Sequence, residues 1–139
     1  MERTLILLKP DCLADKHVGA VTARFEQAGF QICGAKLLRL SADVLREHYA
    51  HLVEKPFYPD IVAFMQSTPV LALILQGPDA VARIREMLGP TDSKKAAKGT
   101  IRGDFGKENM RNIAHASDSV ENAEAEIKRF FKPEEVFHW

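Results

Sequence analysis

The run NIAHASDS at residues 112–119 places His115 between two alanines at the close of a polar stretch. An imidazole titrates near pH 6.5, so around neutrality much of it is free base. Small neighbours leave an electrophile room to approach. A half-buried histidine held by one hydrogen bond is the other reading of the same residue. Residues 91–112 carry Lys94, Lys95, Lys98, Arg102, Lys107 and Arg111 against Asp92, Asp104 and Glu108, an excess of three positive charges. Such a patch suits phosphate, although a loop solvated by lysines has the same composition. Glu126 lies about 100° around a helix from Ile127, at the margin of its buried face. An inward carboxylate there would bond one ring nitrogen of a histidine and leave the other aimed outward.

These side chains need a scaffold, and the periodicity supplies one. Residues 3–10, RTLILLKP, read as a buried strand ending at a proline, with Lys9, Pro10 and Asp11 at its exit. Val18, Val21, Phe25 and Ala28 fall at helical spacing before a stop at Gly29. A second strand is expected over 30–40, then Ser41 caps a helix through ADVLREHYAHL. EKPFYPD interrupts that pattern before IVAFMQS resumes it, which predicts a short helical hairpin. PVLALILQG (69–77) is the clearest buried strand, and 79–89 an amphipathic helix ending at Gly89. Residues 90–118 lack periodicity and read as a long functional loop with a short strand near 113–115. Ser119 caps a last helix to about Phe131, and the tail is expected to pack as an extended segment. The order predicts an α+β, ferredoxin-like sandwich: a four-stranded antiparallel sheet with helices covering one face, an inserted helical hairpin and a long active-site loop.

Whole-chain properties narrow the function classes. The 139 residues fit one domain spanning 1–139. Nineteen basic residues balance nineteen acidic ones, so no global field draws the chain to nucleic acid or an anionic membrane. Neither a Walker loop nor a GxGxxG fingerprint occurs, so a phosphate site must be built from side chains. Cys12 and Cys33 form no disulfide or zinc pattern, and no apolar run suits a signal peptide or membrane span. A cytoplasmic protein is expected. His48 and His51, three apart, read as surface residues rather than metal ligands.

NIAHASDS resembles the active-site signature of nucleoside diphosphate kinases, Asn-x-x-His-(Gly/Ala)-Ser-Asp. ERTLILLKPD at 2–11, RFEQAGFQI at 24–32, HYAHLVEKPFYPDIVAFMQSTPV at 48–70 and GTIRGDFG at 99–106 resemble that family's other blocks in order. The resemblance implies transfer of a γ-phosphoryl group from a nucleoside triphosphate, chiefly ATP, to a nucleoside diphosphate. The route implied is ping-pong, through a phosphohistidine at His115. It implies phosphate contacts from Arg85, Thr91 and Arg102, and ribose contacts from Lys9 and Asn112, with Lys9 also near the transferred group. Tyr49 resembles the phenol beside the histidine, Ser117 and Glu126 the groups that orient its ring, and Phe57 the platform on which any base stacks. Mg2+ is implied to arrive on the nucleotide phosphates, with Asp118 in its outer shell. A homo-oligomer, dimer, tetramer or hexamer, is implied, without membrane or specific nucleic-acid partners.

Four positions depart from the family pattern. Cys12 stands where glycine or alanine is usual, which puts a thiol in a loop. TDS at 91–93 replaces Thr-Asn-Pro, so Ser93 bears on loop stiffness. Asn109 sits where an aliphatic side chain often covers the base, so either Met110 substitutes or base binding is weaker. A ferredoxin-like nucleic-acid module is the main rival, but LILL and LALIL offer no stacked aromatics.

Overall fold

The computed structural model describes residues 1–139. Its four strands are β1 (Glu2–Leu8), β2 (Gln31–Leu38), β3 (Val70–Gly77) and β4 (Ala114–Ala116). They form one antiparallel sheet in the order β2-β3-β1-β4, with Leu5 opposite Ile74 and Leu7 opposite His115. The helices are α1 (Pro10–Ala14), α2 (Val18–Gln27), α3 (Ala42–His48), α4 (Tyr58–Met65), α5 (Ala80–Leu88), α6 (Ile101–Phe105) and α7 (Val120–Phe130). No helix is long and apolar enough to cross a membrane.

The helices cover both faces of the sheet, not the one face the sequence suggested. Ile6, Leu8, Leu73 and Leu75 meet Val21 and Phe25 of α2 and Ile84 and Leu88 of α5. Leu5, Leu7, Ala72 and Ile74 meet Leu45 of α3, Met65 of α4, and Ile127 and Phe130 of α7. The continuous apolar runs of β1 and β3 are the physical reason. Successive side chains alternate between faces, so LILL in β1 buries all four residues only if both faces are covered.

Other boundaries shift for local reasons. Pro10 does not simply end the first strand; it occupies the first turn of α1, where its missing N–H costs nothing. Cys12 is therefore buried inside a helix rather than set in a loop. Helix α3 stops at His48 and a 3-10 turn follows at Ala50–Leu52. The long segment 90–118 is more regular than expected. Asp92 caps a 3-10 turn over Ser93–Lys95 through Lys94 N–H at 3.0 Å, and Thr100 caps α6 through Gly103 N–H at 3.0 Å. The tail contains a 3-10 turn at Pro133–Glu135 before Phe137 N–H bonds the Cys33 carbonyl at 2.8 Å.

Candidate active site

β4 points His115 to the sheet face covered by α3, α4 and α7, while its neighbours Ala114 and Ala116 turn into the opposite core. Ser119 starts α7 by accepting Asn122 N–H at 3.0 Å, and the amphipathic register then aims Glu126 back at the strand. His115 Nε2 lies 2.9 Å from Glu126 Oε1. Ser117 Oγ–H donates to the same oxygen at 2.6 Å, so Ser117 acts on the carboxylate and not on the ring. Burial pushes the Glu126 carboxyl up, but the bonds from His115 and Ser117 outweigh it and leave it below the usual range. The carboxylate is thus charged beside the imidazole.

A cleft of about 1000 Å³ opens over this pair. Lys9, Arg85 and Arg102 bring cations to its wall, and Thr91 and Asn112 bring neutral polar groups. Tyr49, Phe57 and Asp118 line it as well, and Phe57 is 48% exposed, its ring available as a platform. Ser117 alone of the expected residues lies behind the wall, fully buried.

Several of these groups are already partly engaged. Lys9 Nζ donates to the Met110 carbonyl at 2.6 Å and to Asn112 Oδ1 at 2.8 Å. Burial lowers the Lys9 ammonium to about 8, Asp11 opposing that shift and Arg102 adding to it. Asn112 Nδ2 donates to the Thr91 carbonyl at 2.9 Å. Arg102 donates from Nε to the Asn112 carbonyl, from Nη1 to that of Gly89 and from Nη2 to that of Ala114, at 3.1, 2.9 and 2.6 Å. A guanidinium carries five N–H groups, so two remain for a phosphate. Gly89 ends α5 at φ +85°, where a side chain would collide with Thr100, and this turn presents its carbonyl to Arg102. Arg85 Nη1 reaches the Ala116 carbonyl at 3.3 Å. Burial pushes the Tyr49 phenol up to about 12, so it stays a donor; its ring meets His48, and no hydrogen bond joins it to His115.

Between Asn112 and His115 the chain is strained. Ile113 has φ +77°, rare for a β-branched residue, and Ala114 N–H bonds the Asn112 carbonyl at 2.9 Å to close a tight γ-turn. Strain of this kind costs on the order of 1–3 kcal/mol and persists only where surrounding bonds hold it.

His48 is a correction to the sequence reading. It is 8% exposed, not a surface residue, and its ring stands edge-on to His115 with centroids 4.5 Å apart. Only the fold brings them together, because α3 and β4 are far apart in sequence. Arg129 Nη1 donates to His48 Nδ1 at 3.0 Å, and since arginine can only donate, the ring proton sits on Nε2. Ligand atoms of His48, His115 and Glu126 lie within 4.8 Å of one another. Two imidazoles and one carboxylate suit a softer metal than magnesium, and Arg129 already occupies the accepting nitrogen of His48. The spacing of His48 from His51, three residues along a helix, gave no hint of this.

A ferredoxin-like sheet carrying a carboxylate-held imidazole in a basic cleft defines a phosphotransferase site. Related proteins identify the family. A family model described as nucleoside diphosphate kinase matches residues 2–136. The "Nucleoside diphosphate kinase 1" of Protochlamydia amoebophila (strain UWE25) is 46% identical, covering 99% of this chain and 97% of that one. A nucleoside diphosphate kinase of Thermus thermophilus is 47% identical, covering 98% and 99%. The structure of a halophilic nucleoside diphosphate kinase from Halobacterium salinarum in complex with CDP superposes with a TM-score of 0.96 at 38% identity, over 99% of this chain and 92% of that one. That of Aquifex aeolicus superposes at 0.92 with 43% identity, over 97% and 98%. The chain belongs to the nucleoside diphosphate kinase family, phosphotransferases that act on nucleotides by a ping-pong route and generally use a divalent metal with the nucleotide.

Proposed function

We propose that His115 is the phosphoryl acceptor of this kinase and that Nδ1 is the attacking atom. The 2.9 Å bond between Nε2 and Glu126 carries the reading. The carboxylate can only accept, so Nε2 keeps its proton and the lone pair stays on Nδ1. Attack on the terminal phosphorus of a nucleoside triphosphate forms the N–P bond as the bond to the bridging oxygen breaks. The nucleoside diphosphate leaves with that electron pair. Positive charge then spreads over the ring, where Glu126 stabilises it and Ser117 stabilises Glu126. A second nucleoside diphosphate reverses the step.

Alignment and charge neutralisation carry most of the catalysis in such a loose transition state. Lys9, Arg85, Arg102 and Thr91 hold the phosphates, a role supported by the two N–H groups of Arg102 that bond no carbonyl. Lys9 and Asn112 meet the ribose hydroxyls through the valences their mutual bond leaves free. Tyr49 donates at the cleft wall, and Phe57 stacks on the base without reading its edge, which supports broad base tolerance. An Mg2+ carried on the nucleotide would supply further neutralisation of the phosphate charge. Asp118, exposed on the cleft with Oδ1 held by Asn122 Nδ2 at 2.5 Å, is an oxygen donor suited to its water shell. Residues 1–139 act as one domain in a homo-oligomer in the cytoplasm, where two free buried cysteines stay reduced.

The test is to mix the protein with γ-labelled ATP and magnesium, without acceptor. Label that alkali preserves, acid removes and added GDP carries away is the expected result. His115→Ala is expected to take no label and to retain nucleotide binding. Full turnover in His115→Ala sinks the assignment.

A further inference from the structure

The strained turn at Ile113 is held from the far end of the chain. Its amide donates to Asp11 Oδ2 at 3.0 Å, and its carbonyl accepts the Lys9 amide at 2.8 Å. Lys9 is the N-cap of α1 and Asp11 its second residue, so one helix start grips both sides of the turn. Asp11 is 7% exposed and Ile113 fully buried, which makes this a contact without solvent competition. An isoleucine released from φ +77° would return to negative φ. The peptides on either side would rotate with it, carrying the Asn112 side chain on one side and the strand that aims His115 on the other.

We propose that Asp11 is a positioning residue for phosphoryl transfer: it clamps the Ile113 amide in the conformation that aims His115, and it brings a buried negative charge to the helix start that carries Lys9. This rests on the role of His115 argued above. A clamp alone needs one acceptor, which a neutral amide would supply. The other oxygen, Oδ1, is buried and accepts no hydrogen bond, so the charge of Asp11 has to be matched by a cation nearby. Lys9, directly before α1, is a cation whose charge Asp11 favours without a direct ion pair, its Nζ bonding Met110 and Asn112 instead. Arg102 of α6 also faces Lys9 and disfavours its charge, while Glu108 favours it, and Arg111 shares the Phe64 ring with it at 5.4 Å. Burial is the largest influence on Lys9, and Asp11 is the strongest of those opposing it.

The experiment measures the rate of label transfer from γ-labelled ATP in wild type, D11A and D11N across pH 6 to about 10, a range bracketing the lowered Lys9 value. D11A, lacking both acceptor and charge, is expected to label about 100-fold more slowly. D11N keeps an acceptor for Ile113, so its rate at the optimum returns to within about tenfold of wild type. Its alkaline limb, set in wild type by Lys9 near 8, moves down by about one pH unit because the charge is gone. A purely structural role would lower melting temperature without moving that limb. D11A labelling at the wild-type rate, or D11N with an unmoved limb, overturns the proposal. Where D11A does not fold, the D11N limb decides alone. Wild type that takes no label overturns the His115 reading instead.

Discussion

His48 ties acid sensitivity to one residue. Burial holds its pKa down, with His115, Arg129 and His51 adding to the effect and Glu126 opposing it, at about 3 against 6.5 for the free side chain. Below pH 6.5 the unfolded chain therefore binds a proton that the folded chain refuses. The contribution to stability is whole above 6.5 and is lost as pH falls toward 3, at up to about 1.4 kcal/mol per pH unit. Urea unfolding at pH 6.5 and at about pH 4.5 is expected to show wild type losing about 2 kcal/mol more than His48→Gln. Glutamine has no titrating ring, and its carbonyl can still accept from Arg129. Equal losses would mean that His48 is protonated in the folded protein. The same neutrality matters for chemistry, since a charged ring 4.5 Å from His115 would oppose the imidazolium formed on phosphorylation.

At the scale of elements, α7 shows how a cap and a stripe place one carboxylate. Ser119 Oγ accepts Asn122 N–H at 3.0 Å, while Ile127 and Phe130 seat the helix on the sheet. Ser119→Ala is expected to cost about 1 kcal/mol, a fall of about 4 °C in Tm, with kcat within about twofold of wild type. A parallel collapse of kcat would show that the cap, not the stripe, sets the register of Glu126. This helix was legible in the sequence because both signals are local: a serine cap and apolar residues at helical spacing. β3 and α5 were legible for the same reason. α1 and α6 were not, as each has five residues, too few for periodicity, although Pro10 and Thr100 were in plain view as start signals. The burial of both faces was written in LILL and LALIL, which alternate with nothing polar. The site itself was readable through its family motifs, yet His48, Arg129 and the Asp11 clamp on Ile113 were not. Their partners lie at separations of 81 and 102 residues, and only the strand order β2-β3-β1-β4 brings them together.

For the molecule as a whole, that same topology makes substrate binding a test of global stability. The cleft takes Lys9 from the first strand's exit, Tyr49 and Phe57 from the hairpin region, Arg85 from α5, Asn112 and His115 from the β4 approach, and Glu126 from α7. The site draws on elements from both ends of the chain, so a nucleotide that binds only the native state stabilises all of it. At a concentration about 100 times Kd the gain is about 2.7 kcal/mol, or roughly 10 °C in Tm for a chain this size. Phe57→Ala removes the stacking platform without touching the phosphate ligands. A tenfold rise in Kd then cuts the gain at the same concentration to about 1.4 kcal/mol, halving the shift. Because a π-face is common to every base, the halving is expected equally for ADP, GDP, CDP and UDP. Melting curves with each nucleotide check this. A loss confined to one base would show that Phe57 reads base identity, and Asn109 and Met110, which also line the cleft, would then be the next side chains to test.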